Sequence, residues 1–164
     1  NDQLIGYILL KHHFYCRQNM PVIYGHLEKV AMKHGDRYPH MRQAYLKFAM
    51  LKSELESHLL KEEQVLFPRI KQLETFAQSG SESAEHLAHL INAPVSVMES
   101  EHDHAGAPMQ EIRRLTNDYT PPEDACTTHR LSLQELRDFE EDLHRHVHLE
   151  NNILFPRAAA WVQN

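Results

Sequence analysis

Two stretches of the sequence carry the same chemistry: His58-Leu-Leu-Lys-Glu62 and His146-Val-His-Leu-Glu150 each set an imidazole and a carboxylate four residues apart. On a helix that spacing places both groups on one face, about 6 Å apart along the axis, so each pair can address a single site. Imidazole and carboxylate together are ligand types that suit iron, manganese or zinc. One His-x-x-x-Glu means little, because roughly one match is expected from composition alone. Here both matches lie in a longer repeat, 58–70 against 146–158, identical at six of thirteen positions and including Leu-Phe-Pro-Arg. Two further histidines keep the frame: His13 precedes His58 by 45 residues and His102 precedes His146 by 44. The chain reads as two similar helical hairpins.

The elements that must hold these residues are helices. Only five glycines occur, and most segments are rich in Leu, Met, Ala, Glu, Lys and Gln, which lose little on entering a helix. Three breaks, at 34–39, 78–83 and 117–122, leave four helices at roughly 2–34, 39–76, 91–117 and 123–159, with 78–90 as the longest connection. Long helices, short links and no strand-like alternation predict an all-α fold, an antiparallel up-down four-helix bundle. Steps of three and four residues give each helix a core-facing seam. The first runs Leu9, His13, Cys16, Met20, Ile23, Leu27, Val30; the second Phe48, Leu51, Leu55, His58, Glu62, Val65, Arg69. The third runs Val95, Met98, His102, Ala105, Met109, Ile112, Thr116; the fourth Leu136, Phe139, Leu143, His146, Glu150, Ile153, Arg157. Each seam is polar in its middle and mostly apolar on either side. Pro94 sits near a helix start, whereas Pro21, Pro68 and Pro108 predict kinks or local unwinding and Pro156 an approaching helix end.

Six ionisable side chains therefore fall on core positions: His13, His58, Glu62, His102, His146 and Glu150. Burying even one unpaired charge costs several kcal/mol or more, so a core that keeps six must satisfy them together, and a metal centre does so. Four imidazoles and two carboxylates cannot crowd one ion and leave it an open position. They fit two metals bridged by both carboxylates, with two histidines each. The remaining histidines, 12, 26, 34, 40, 86, 89, 104, 129, 144 and 148, read as surface residues, with His104 and His148 as candidate outer hydrogen-bond partners. Glu63 and Asp103 read as solvated charges, Cys16 as core packing, and Arg69 and Arg157 as snorkelling side chains.

Composition excludes several classes. The 164 residues suit one domain. The formal charge of -6, from 23 acids against 17 Lys and Arg, argues against a nucleic-acid grip. No apolar run approaches the roughly 20 residues that span a bilayer, and no signal segment opens the chain, which predicts a soluble, cytoplasmic protein. Two cysteines, Cys16 and Cys126, make neither a disulfide scaffold nor a CxxC motif.

The repeated His-x-x-x-Glu on helices two and four resembles the hemerythrin-like domain, a four-helix bundle around a non-haem di-iron centre. The segments His58-Leu-Leu-Lys-Glu-Glu-Gln-Val-Leu-Phe-Pro, Met98-Glu-Ser-Glu-His-Asp, Tyr119-Thr-Pro-Pro-Glu-Asp-Ala-Cys-Thr-Thr and His146-Val-His-Leu-Glu-Asn-Asn-Ile-Leu-Phe-Pro-Arg resemble, within it, the bacterial Repair of Iron Centres (RIC) family. The similarity covers essentially residues 1–164. It implies His13, His58, His102 and His146 as terminal ligands of two iron ions, with Glu62, Glu150 and an oxo or hydroxo group as bridges. It implies repair of iron–sulfur clusters damaged by nitrosative or oxidative stress, by supplying iron or reacting with nitric oxide, nitric-oxide reduction included. Damaged iron–sulfur proteins are the implied clients and nitric oxide or oxygen the small ligands; the chain is expected as a monomer or homodimer. Cys16 stands where members often carry another histidine, and His129 where Trp usually follows Cys-Thr-Thr. The family's short N-terminal cysteine-containing domain is expected to be absent.

Other readings compete. Hemerythrin-like oxygen binding or sensing typically uses a fifth histidine and an Asp, and none stands in register here. A ferritin-like oxidase uses Glu-x-x-His and more carboxylates. A metal-free interaction bundle is separated by one experiment. Removing metal with a chelator should lower the thermal midpoint of this protein if the six groups hold ions, whereas an interaction bundle would melt unchanged.

Overall fold

In the computed structural model, which describes residues 1–80 and 83–161 (backbone alone for 83–85), the chain forms four long helices, and no strand occurs among the described residues. Helix α1 joins Asp2–Ile8, Leu9–His13 and Phe14–His34; α2 joins Pro39–Lys61, Glu62–Leu66 and Phe67–Gln78. Helix α3 is Ser83–Leu115, and α4 joins Thr127–Leu149, Glu150–Leu154 and Phe155–Ala160. The middle piece of α1, α2 and α4 is a π turn, which closes hydrogen bonds five residues back and so inserts one extra residue. Phe67 N–H, for example, donates to Glu62 C=O, and Phe155 N–H to Glu150 C=O. Helix α1 packs against α2 and α4, and α2 against α3.

The π turns explain where the sequence-derived seam holds and where it slips. Beyond Glu62 the buried residues are Leu66, Phe67, Ile70 and Leu73, while Val65 is 40% exposed. Beyond Glu150 they are Leu154, Phe155 and Ala158, with Ile153 half-buried and Arg157 exposed. Before His13, Ile5 and Ile8 are buried in place of Leu9. Each slip is one residue, the residue the π turn adds. Helix α3 has no π turn, and its seam runs in step from Ala88 and Ile91 through Met98, His102, Ala105, Met109 and Ile112 to Thr116, with Val95 only half-buried.

Prolines behave according to what satisfies the carbonyl they orphan. Pro68 and Pro156 are each the second residue after a π turn, so the unwinding expected at Pro68 takes that form just before it, and α4 ends four residues beyond Pro156, at Ala160. Helices α1 and α3 continue without local unwinding through Pro21 and Pro108, where the carbonyls left without a helical partner belong to the exposed residues Arg17 and His104. Helix α3 also begins at Ser83 rather than 91, so 83–90 is helix and Pro94 lies inside it. The carbonyl of Leu90, which Pro94 cannot engage, accepts instead from Arg69 at 3.2 Å, so Arg69 caps a backbone group rather than snorkelling. Residues 81 and 82 of the predicted connection lie outside the described residues. Helix α4 starts at Thr127, not 123, because Cys126 is its N-cap, its sulfur accepting from His129 N–H.

Two apolar clusters fill the bundle. One gathers Met20, Leu27, Phe48, Leu51, Met109, Phe139 and their neighbours; the other gathers Ile5, Ile8, Phe67, Ile70, Ile91 and Phe155. In every helix the six polar seam residues fall between the two.

Two histidines read as surface groups are in fact buried, His12 and His129. His129 lies edge-on to Tyr38 with ring centroids 5.1 Å apart, and neither ring nitrogen has a partner. Burial, helped by His40, His34 and Arg130, pushes its pKa down to about 4.

Two measurements follow. Leu66→Ala should cost about 2–4 kcal/mol in denaturant unfolding and Val65→Ala less than about 1, the reverse of what an uninterrupted α-helical seam would give. A depressed histidine pKa contributes stability that is present above about 6.5 and lost as pH falls toward 4. His129→Leu should therefore remove a pH-dependent loss of about 2 kcal/mol between pH 6.5 and 5, seen as a flatter unfolding profile than wild type.

Candidate metal centre

All six predicted residues meet in one buried layer. His13, Glu62, His146 and Glu150 bring ligand atoms within 4.8 Å of one another, and so do His58, Glu62, His102 and Glu150. The two groups share both carboxylates, and each carboxylate divides its oxygens between them. Glu62 Oε2 is 3.1 Å from His13 Nε2 while Oε1 is 2.9 Å from His58 Nε2. Glu150 Oε1 is 2.7 Å from His146 Nε2 while Oε2 is 3.0 Å from His102 Nε2. Both glutamates are wholly buried, and the four histidines are at most 6% exposed.

The layer fits cations on its own geometry. His13, His58 and His102 each engage an acceptor through Nδ1: Glu63 Oε1 at 2.8 Å, Glu101 Oε2 at 2.7 Å and Asn151 Oδ1 at 2.7 Å. An Nδ1 that donates leaves Nε2 as a bare lone pair. His58 Nε2 and His102 Nε2 nevertheless face each other at 2.9 Å, and His13 Nε2 and His146 Nε2 at 3.1 Å. Both oxygens of Glu62 and one of Glu150 also lack a hydrogen-bond donor. Lone pairs converging in a dry core require positive charge between them.

The electrostatics without an ion point the same way. Burial opposes charge on His13, yet the close carboxylates of Glu150 and Glu62 hold it up to about 9. The same contest leaves His102 at about 10, and burial against the charge of Glu150 leaves His146 at about 9. Burial and the neighbouring Glu150 push Glu62 up, but its histidine contacts prevail and lower it; Glu150 is held well below the carboxylate range. The site binds positive charge, whether protons or metal.

Backbone placement supplies the aim. The π turns begin at Glu62 and Glu150 and end at His13, so three of the four helices carry their extra residue at a member of this layer. A cleft of about 670 Å³ between α2 and α3 reaches His58, His102 and His146, with the Lys61–Glu101 ion pair at its rim.

Sequence reasoning missed the outer contacts. Glu63 is no solvated charge: it holds His13 and is itself held by Arg17. Glu101 and Asn151 went unremarked, while His104 bonds its own helix at Ser100 C=O and His148 faces Asn152. The available signal was position, since Glu63, Glu101 and Asn151 each adjoin one of the six in sequence. Cys16 is packed in the apolar core as expected, and burial pushes its thiol up to about 12. No described helix is long and apolar enough to cross a membrane.

The model of the hemerythrin HHE cation binding domain matches residues 4–158. Iron-sulfur cluster repair protein YtfE of Escherichia coli O81 (strain ED1a) is 40% identical over 159 residues, which cover 96% of this chain and 66% of that protein. The same protein from Escherichia coli O1:K1 / APEC and from Escherichia fergusonii matches with the same identity and coverage. The chain thus spans about two thirds of the length of these relatives.

Proposed function

This chain belongs to the hemerythrin HHE cation-binding domain family, and on that premise we propose that it carries a non-haem di-iron centre serving the repair of iron–sulfur clusters damaged by nitrosative or oxidative stress. His13 and His146 would hold one iron and His58 and His102 the other, with Glu62 and Glu150 shared between them. The observation that carries this reading is the division of each carboxylate's oxygens between the two histidine pairs. When bound, the iron pair supplies redox chemistry toward small ligands such as nitric oxide and a store of iron for transfer. The protein's own part is to present four nitrogens and four carboxylate oxygens in a water-poor layer, to fix the imidazole tautomers through Glu63, Glu101 and Asn151, and to leave the cleft beside His58 and His102 as a path for small ligands.

The relatives named as cluster-repair proteins support the client class, and the absence of a bilayer-spanning helix among the described residues is compatible with a cytoplasmic site of action. Nothing favours the oxygen-binding alternative. The nearest further imidazole, His12, bonds Asp142 at 2.9 Å rather than entering the centre.

Iron-loaded protein should contain two irons per chain, react with nitric oxide with a change in its Mössbauer spectrum, and restore activity to a cluster-depleted acceptor enzyme. Replacing Glu62 by Leu should take the stoichiometry below one, because that residue serves both positions. A single mononuclear iron in wild type would overturn the dinuclear reading, and two irons inert toward both nitric oxide and the acceptor would overturn the repair reading.

A further inference from the structure

Three of the four candidate ligand imidazoles give their outer Nδ1 proton to a residue that adjoins a ligand on the next helix. Glu63 of α2 serves His13 of α1, Glu101 of α3 serves His58 of α2, and Asn151 of α4 serves His102 of α3. The circuit stops one contact short. His146 of α4 is 1% exposed, its Nε2 faces Glu150, and its Nδ1 has no partner. An imidazole that ligates through Nε2 carries its proton on Nδ1, and a buried N–H without an acceptor is costly.

By the rule of the other three, the missing partner belongs on α1 beside His13. His12 occupies that place, but it stacks parallel on His146, with ring centroids 5.6 Å apart and planes at 10°, so it cannot accept from the ring edge. His12 Nδ1 instead engages Asp142 Oδ1 at 2.9 Å. The other oxygen of that carboxylate, Oδ2, is buried and has no donor. Asp142 lies four residues before His146 on α4, hence on the same face. One turn of helix thus holds a donor without an acceptor and an acceptor without a donor.

We propose that Asp142 is the positioning residue of His146, accepting its Nδ1 proton on Oδ2 while His12 holds Oδ1, and so completing the circuit through a His12–Asp142–His146 relay of contacts. Closure takes either a rotation of the Asp142 carboxyl or one bridging water, which the adjoining cleft of about 620 Å³, lined by Tyr7, Lys11, Tyr15 and Arg145, can supply. A carboxylate behind an imidazole makes it a stronger donor to metal and favours the more oxidised state. The inference rests on the di-iron reading above.

The test compares iron-loaded wild type, Asp142→Asn, Asp142→Glu, His12→Gln and, as a control on the same helix, the exposed Asp138→Asn. The readouts are the rate of iron transfer to a ferrous chelator and the midpoint potential of the bound iron. Asp142→Asn should release iron about tenfold faster or more and shift the midpoint positive. His12→Gln should move both in the same direction by less, Asp142→Glu should recover part of the loss, and Asp138→Asn should match wild type. An Asp142→Asn protein whose release rate stays within about twofold of wild type with an unmoved midpoint overturns the proposal; should that variant not fold, the same outcome for His12→Gln overturns it. Fewer than two irons in wild type would sink the di-iron reading itself, whereas two irons in wild type and an unaltered Asp142→Asn sink only the role of Asp142.

Discussion

Four imidazole lone pairs and four carboxylate oxygens pointing at one another across about 3 Å, in a layer closed above and below by apolar side chains, are the constraint on which the rest of the structure depends. Without positive charge such a layer is unstable, because each lone pair repels its neighbour in a buried setting. Positive charge placed inside it reverses the sign of every contact at once. The apolar clusters on either side then help rather than merely tolerate the layer: by excluding water they lower the local dielectric and strengthen the attraction between ligands and a bound cation.

That requirement accounts for the irregular backbone. A plain α-helix would deliver one buried face, and helix α3, which contributes His102, is plain. The other three helices each spend a π turn at the layer, accepting poorer hydrogen bonds there in exchange for one residue's shift in facing. The Leu-Phe-Pro-Arg that follows both Glu62 and Glu150 is part of the same device. Leu66, Phe67, Leu154 and Phe155 cap the layer with apolar bulk, and Pro68 and Pro156 occupy positions where the helical ladder is already broken. The repeat therefore records a His–Glu pair together with the backbone defect that aims it.

This explains which parts were legible in the sequence. The fold class followed from the seams, as did the meeting of the six residues in one buried layer, because the spacing of His58 from Glu62 and of His146 from Glu150 does not cross a π turn. The seam slipped by one residue within or beyond those turns, at Leu9, Val65, Arg69, Ile153 and Arg157, where an inserted residue leaves no compositional trace; half-buried Val95, on a helix without such a turn, is a separate miss. His12 and His129 were misread for a different reason: a buried histidine off the seam looks like a surface one until its packing against another helix is seen. The outer partners were hidden in the same way. Glu63 and Glu101 are ordinary acids by sequence, and only the crossing of helices turns them toward His13 and His58.

The pairing of the histidines has a consequence for folding that the repeat conceals. Each hairpin of the repeat supplies one His-x-x-x-Glu, which invites the picture of one metal per hairpin. The structure pairs His13 of the first hairpin with His146 of the second, and His58 of the first with His102 of the second, while Glu62 and Glu150 each reach both pairs. Neither hairpin alone holds a complete ligand set, so a cation at either position ties the two halves together. Metal binding then contributes to hairpin association in the way a crosslink does, by stabilising only the state in which both halves are docked. It also means that loss of a cation held by His58 and His102 would loosen α2 from α3 beside the cleft those residues line, while His13 and His146 still hold α1 to α4.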